Sequence, residues 1–263
     1  MIVVKSEKDI EKMRVGGKIS AQVREDILKK AKPGVNTWEL EEYARDKIKE
    51  LGGEPGFMRV PGYDYATCIN LNEGLVHGIP SKDIVVREGD LFTVDLGTFY
   101  EGFHTDCAWS IIIRNRHTAF REPQEKEGKE KKRFLEAGEE ALAAATRQCV
   151  PGNFVGDISH AIQENIENAG YTVIRALVGH GVGEDLHEGP QIPCYGNSGK
   201  GSLLEEGLTV AIEVLYAVGG PAIETVKDGW TIKTKDNSLS GLFENTVAIT
   251  KNGPEVLTPN PHL

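Results

Sequence analysis

The sequence predicts an α+β fold of two related halves, with antiparallel strands in a curved sheet and the helices on its outer face. Three observations carry that reading. Helical and strand-like segments alternate between turn signals, landmarks of the first half recur 118 positions later, and 39% apolar content over 263 residues suffices for a large core. The recurrence keeps register: Pro33-Gly34 is matched by Pro151-Gly152, Gly52 by Gly170, Glu88-Gly89 by Glu206-Gly207, and Asp95 by Glu213. One offset therefore carries helix onto helix, strand onto strand and carboxylate onto carboxylate, as an internal duplication about a pseudo-twofold would. The expected organisation is a single domain over 1–263, with halves at about 1–113 and 134–263 and a charged excursion at 114–133.

Taken in order, residues 6–32 place Ile10, Met13, Val23, Ile27 and Leu28 at helical spacing and close on Pro33-Gly34, which predicts one long helix or a broken pair. A second helix opens at Asn36, with Glu39 completing a capping-box pattern. Leu40, Tyr43, Ala44, Ile48 and Leu51 form its apolar face, and Gly52-Gly53 stops it. From 59 to 79 the composition turns to Gly, Pro and aromatics. Strands are expected at 66–70, 91–95 and 106–113, and in the second half at 172–174, 209–213 and 245–250. The second half's matching helix carries Val155, Ile158, Ile162 and Ile166 as its stripe, and a further helix is expected at 134–149.

The excursion 114–133 holds eight Lys or Arg and four Glu with almost no apolar residue, so it reads as a solvated segment. Lys129, Lys131, Lys132 and Arg133 also make a local basic cluster, which would suit a docking surface. The chain as a whole carries a net charge of −10, against a general binder of nucleic acid or anionic membranes. No run approaches the roughly 20 apolar residues of a membrane span, and Met1–Lys5 is too short for a signal peptide, so a cytoplasmic protein is expected. Cys68, Cys107, Cys149 and Cys194 lack CxxC spacing and read as free thiols.

Five polar residues fall where strands or Gly-rich turns are expected: Asp95, Asp106, His180, Glu213 and Glu244. Singly, Asp106 could cap a turn, Glu244 could face solvent and His180 could be a hydrogen-bonded core histidine. Glu213, flanked by Ile212 and Val214, is harder to place, because glutamate is almost never fully buried unpaired. Together they make chemical sense as a metal site. One imidazole and four carboxylates offer hard ligation and enough charge for two divalent cations. Such a pair can share a water, lower its pKa and polarise a carbonyl, giving hydrolysis without a protein nucleophile. No GxSxG elbow, catalytic-cysteine signature, P-loop or GxGxxG competes. His77 and His187 stand in Gly-flanked turns and could donate to a developing charge or a leaving amine. His104, His117, His160 and His262 read as structural or exposed, His104 being the one nearest the constellation.

Four blocks then resemble one family in the right order: Asn72-Glu73-Gly74-Leu75-Val76-His77-Gly78-Ile79-Pro80, Val94-Asp95-Leu96-Gly97 with Phe103-His104-Thr105-Asp106, Gly179-His180-Gly181-Val182-Gly183 with His187-Glu188-Gly189-Pro190, and Asp228-Gly229-Trp230-Thr231 running to Phe243-Glu244-Asn245-Thr246. Over nearly its whole length the chain resembles the type I methionine aminopeptidases of the pita-bread metallopeptidases. The resemblance implies removal of the initiator methionine from nascent chains whose second residue is small. It implies Asp95 as a bidentate ligand of one metal, His180 and Glu213 on the other, and Asp106 and Glu244 bridging. His77 and His187 would contact the substrate amide and stabilise the tetrahedral intermediate, and Glu213 would shuttle a proton. Tyr63, Cys68 and Trp230 would line the methionine pocket. The metals implied are cobalt, manganese, iron or zinc.

Only 26 positions separate His187 from Glu213, which leaves no room for the helical insertion of type II enzymes. The implied partners are nascent polypeptide N-termini, with ribosome contact through 114–133, no nucleic-acid specificity, no membrane and a monomeric protein. Two positions depart from the family pattern: Val214 stands where proline is usual and Asn245 where histidine is usual. Neither is an implied ligand, so altered local hydrogen bonding is expected rather than lost activity. The other readings are a proline-specific peptidase or creatinase-like hydrolase, which usually has a further N-terminal domain, and a silent binding protein, which would be free to lose ligands.

Overall fold

The computed structural model of the chain describes residues 2–114 and 122–260. Its elements are α1 (Glu7–Lys30), α2 (Thr37–Glu50), β1 (Glu54–Pro55), β2 (Thr67–Leu71), β3 (Gly74–Val76), β4 (Leu91–Tyr100), β5 (Phe103–Ile112), α3 (Glu122–Thr146) and α4 (Val155–Asn168). They continue as β6 (Thr172–Val173), β7 (Val178–Gly181), β8 (Glu188–Pro193), β9 (Thr209–Ala217), β10 (Ile223–Thr225), β11 (Ile232–Thr234), β12 (Ser240–Thr250) and β13 (Gly253–Val256). α1 is one unbroken helix, opened by a Ser6–Asp9 capping box. Its Gly16-Gly17 pair does not break it. A Cβ on Gly17 would lie 2.2 Å from the Leu257 carbonyl oxygen, so the glycine is there to let the C-terminal segment press against the helix. α2 starts as its sequence predicts, with Asn36 accepting from the Glu39 amide at 3.0 Å.

The offset of 118 holds in three dimensions. It carries both ends of α2 onto α4 and both ends of β1 onto β6. It also carries the pair Glu54↔Phe99 onto Thr172↔Ala217 and the bridge Asn36↔Val85 onto Phe154↔Leu203. Gly34 and Gly152, Gly52 and Gly170, and Gly89 and Gly207 all have φ between 88° and 95°, a left-handed backbone that glycine adopts without a Cβ clash. These recurring glycines are therefore conformational markers of the duplication.

The halves meet in one ten-stranded sheet of order β1-β4-β5-β12-β9-β7-β8, with β2 also on β4, β6 on β9 and β13 on β12. All these pairings are antiparallel. Strand alternation decides what each face carries. Phe92, Val94 and Leu96 of β4 join the core under α1 and α2, while Asp95 points to the other face. Phe243 of β12 packs under α3, where only a glycine, Gly138, leaves room for its ring, and Glu244 faces away.

The charged excursion departs from expectation. α3 begins at Glu122 rather than near 134, so the charged residues from 122 to 133 are helical. The physical reason is i,i+4 pairing, Lys131 with Glu127 at 2.6 Å and Lys132 with Glu136 at 3.2 Å, which supports these charged turns ahead of the apolar stripe that begins at Phe134. Residues 115–121 of the excursion lie outside the described residues, as do His117 and His262. All four cysteines are buried free thiols. No described helix is long and apolar enough to cross a membrane.

Candidate metal centre

The sheet register builds the site. Cα partners run in one row across five strands: Cys68 of β2 faces Asp95 of β4, Asp95 faces Ala108 of β5, Ala108 faces Glu244 of β12, and Glu244 faces Glu213 of β9. Directly opposed residues share a face, so three carboxylates and a thiol are delivered to one side at strand spacing. Asp106 stands two residues from Ala108 on the same face. His180 of β7 faces Ala211, two residues from Glu213. The five residues singled out in the sequence are thus brought together across both halves, and His77 and His187 join them around one cavity.

Electrostatics makes the cluster unstable as bare carboxylates. Asp95, Asp106 and Glu244 are buried, and Glu213 is the most open of the four. Burial and then mutual repulsion hold the carboxyls of Asp95, Glu213 and Glu244 well above the usual range, and burial pushes Asp106 up to about 7. One oxygen each of Asp95, Asp106 and Glu244 has no hydrogen-bond partner. His180 is held down to about 4 by burial and by His187. Its Nδ1 lies 2.9 Å from the Gly181 carbonyl oxygen, which only accepts, so Nδ1 carries the proton. The lone pair on Nε2 therefore faces Glu213 at 3.4 Å and Asp106 at 4.0 Å. Ligand atoms of Asp106, His180 and Glu244 lie within 4.8 Å of one another. An imidazole aimed by a carbonyl, amid buried carboxylates with unfilled oxygens, fits a divalent cation.

On one side of the cluster the cavity, of about 130 Å³, is walled by Phe57, Val60, Tyr63, Cys68, Leu186 and Trp230. The Tyr63 hydroxyl is committed to the Thr67 carbonyl at 2.9 Å and to Cys68 Sγ at 3.1 Å, so the wall offers ring faces and sulfur rather than free donors. Trp230 stands edge-on to Tyr63, with ring centroids 5.0 Å apart. Asp228 fixes that loop by accepting from the Trp230 and Thr231 amides and the Thr231 hydroxyl at 2.6–2.9 Å. Tyr63, Cys68 and Trp230, named in the sequence reading, line this cavity. Phe57, Val60 and Leu186 were not singled out. Leu186 was detectable as an apolar residue immediately before His187. Phe57 and Val60 sit in an irregular stretch with no periodicity to betray them.

A model of metallopeptidase family M24 matches residues 11–251. The chain belongs to metallopeptidase family M24. Among its M24 relatives, a methionine aminopeptidase of Clostridium acetobutylicum is 40% identical, covering 98% of this chain and 99% of that one. A methionine aminopeptidase of Escherichia coli is 37% identical, covering 98% and 94%. The crystal structure of a Thermotoga maritima methionine aminopeptidase superposes with a TM-score of 0.90 at 40% identity, covering 98% and 99%. A Pyrococcus furiosus prolidase shares the M24 fold at a TM-score of 0.73 and 24% identity, but this chain spans only 65% of its length.

Proposed function

We propose that this M24 chain is a methionine aminopeptidase, removing the initiator methionine from nascent proteins whose second residue is small. The observation that carries the proposal is one cavity lined both by an apolar wall and by a row of carboxylates spanning both halves. At about 130 Å³ it falls below the roughly 300 Å³ at which drug-sized pockets begin and suits a small side chain. Phe57, Leu186, Trp230 and the Cys68 sulfur would hold a thioether. Full-length likeness to methionine aminopeptidases supports this choice over a proline-directed enzyme.

Asp95, Asp106, His180, Glu213 and Glu244 would hold two divalent cations, of cobalt, manganese, iron or zinc. When bound, the metals supply Lewis-acid activation of the scissile carbonyl and of water. The chain's residues do the rest. His77 and His187 line the cavity, and burial lowers the pKa of each, so at neutral pH both imidazoles are neutral N–H donors available to the substrate amide. Glu213, the least buried of the cluster and ionised when cations are bound, would take the proton that the attacking water gives up and pass it to the leaving amine. The apolar wall excludes water from the side-chain end. The two halves act as one catalytic unit, because neither alone contains the row. The partners proposed are nascent N-termini met in the cytoplasm by a monomer, with light scattering as the check on oligomeric state. A ribosome contact is proposed for the outer side of α3, where Lys129, Lys132 and Arg133 are exposed.

Protein loaded with Mn²⁺ or Co²⁺ is expected to release free methionine from a Met-Ala-Ser peptide and to spare the N-acetylated peptide. Glu213→Gln should lower kcat by orders of magnitude with the fold intact. Absence of release with any divalent metal overturns the proposal.

A further inference from the structure

The halves are joined through a short seam. β5 and β12 share only two paired positions, Glu244↔Ala108 and Asn245↔Cys107. At each end of that ladder a hydroxyl replaces the next rung. Thr246 Oγ1 accepts from the Asp106 amide at 2.8 Å and donates to the Asp106 carbonyl at 2.8 Å. At the other end Ser110 Oγ accepts from the Leu242 amide at 3.1 Å and donates to the Leu242 carbonyl at 2.9 Å. A hydroxyl can do both because it is one donor and two acceptors. The arrangement is pseudosymmetric: each half contributes one hydroxyl and one capped residue.

The reason for the substitution lies in β12. At Thr246 its backbone turns to another partner, the amide donating to Thr258 Oγ1 at 3.0 Å instead of to β5, while the Thr246 carbonyl accepts from the Leu257 amide at 2.8 Å. The next residues pair with β13. Asp106 would thereby lose both backbone bonds in a buried setting, where an orphaned polar group is costly. The Thr246 side chain restores them, and Thr246 is itself wholly buried. Of the two capped residues, only Asp106 carries a carboxylate into the metal centre.

We propose that Thr246 is a positioning residue for that centre: its hydroxyl fixes the Asp106 backbone at the seam, and so sets how far the carboxylate of one half stands from Glu213 and Glu244 of the other. This rests on the metal-centre reading above. Ser110 does the same structural work on Leu242, which bears no ligand, and so supplies an internal control.

The test compares metal-stripped wild type, Thr246→Val, Thr246→Ser and Ser110→Ala by calorimetric titration with Mn²⁺, with the Tm of each metal-free protein measured alongside. Thr246→Val is expected to weaken Mn²⁺ binding about 10–100-fold, the range typical of groups that orient ligands. Thr246→Ser should stay within about 2-fold. Ser110→Ala should lower Tm while leaving Mn²⁺ affinity near wild type. If the valine variant does not fold, Thr246→Ala, which places no methyl against the Asp106 backbone, takes its place under the same expectations. Mn²⁺ affinity unchanged in the folded Thr246 variant, or weakened equally in Ser110→Ala, overturns the inference and leaves the metallopeptidase reading standing. A wild-type chain that binds no Mn²⁺ overturns both.

Discussion

Stripping the metal should invert the pH dependence of stability, and the cluster's own groups give the size. Asp106, raised from 3.8 to about 7 in the folded chain, binds its proton more tightly folded than unfolded. Its stabilising contribution is complete below pH 3.8 and is lost as pH rises through about 7, a swing on the order of 4 kcal/mol at 1.36 kcal/mol per unit. His180 acts with the opposite sign. Held down to about 4, it contributes stability above 6.5 that is lost as pH falls towards 4, on the order of 3 kcal/mol. Between pH 4 and 6.5 the two largely cancel. Above 6.5 the imidazole is neutral in both states and only the carboxyls remain, Asp95, Glu213 and Glu244 being raised as Asp106 is. The metal-free protein should therefore lose stability between about pH 6.5 and 8.5, on the order of 1 kcal/mol from Asp106 alone. Bound Mn²⁺ needs deprotonated ligands, so its stabilisation should grow over the same window. Urea unfolding of chelator-treated and Mn²⁺-loaded protein at several pH values measures both slopes. Metal-free stability that is flat or rising above pH 6.5 would refute the reasoning, since it would mean that the four carboxyls ionise without the cost of burial and mutual repulsion.

Glu41 should be among the costliest side chains to remove outside the metal centre. Fully buried on α2, it accepts from the Ala66 and Thr67 amides, the Thr67 hydroxyl and Arg45 at 2.7–2.9 Å, and so fastens the start of the strand that carries Cys68. Glu41→Ala should cost about 3–5 kcal/mol in urea unfolding by leaving those donors orphaned, and a loss below about 1 kcal/mol would show that water replaces it. Neutralising Lys129, Lys131, Lys132 and Arg133 together should weaken co-sedimentation with ribosomes. Unchanged co-sedimentation would return α3's charged turns to a solvated surface, which their pairing with Glu127 and Glu136 already favours for Lys131 and Lys132.

What the sequence made legible was whatever local chemistry dictates. The capping residue Asn36 and the turn glycines are short-range signals, each marking an element boundary found in the fold, and their recurrence at an offset of 118 made the duplication legible. The carboxylates were legible because charge in an apolar strand is anomalous by itself. The seam was not, since Thr246 and Ser110 are unremarkable strand residues until β12 is seen to change partners between β5 and β13. The departure at Asn245 gains its meaning there as well. Its amide, turned to its satisfied orientation, donates to the Thr258 carbonyl at 2.7 Å and tethers the same C-terminal segment that engages Thr246. Val214 lies wholly buried in the core, and nothing in the structure explains its replacing proline.

The duplication also explains which part of the site is shared and which is not. Asp95 faces Ala108 while its mate Glu213 faces Glu244, so the inner strands correspond with an offset of 136 instead of 118. The difference of 18 residues lies between the paired strands: two residues separate the paired Tyr100 and Phe103, whereas 20 separate their counterparts Val218 and Leu239, which are hydrogen-bonded to each other. That longer connection holds β10 and β11, and β11 crosses to pair with β3 of the first half beside His77, carrying Trp230 with it. Edge strands diverge in the same way. Asn70 faces Thr93 where, in the other half, His180 faces Ala211, so one of two equivalent positions holds a ligand-type imidazole and the other a buried amide with no partner. The symmetric strands place opposed carboxylates across the seam, and the asymmetric insertion adds Trp230 to the apolar wall that Phe57, Val60, Tyr63, Cys68 and Leu186 form on one side of them.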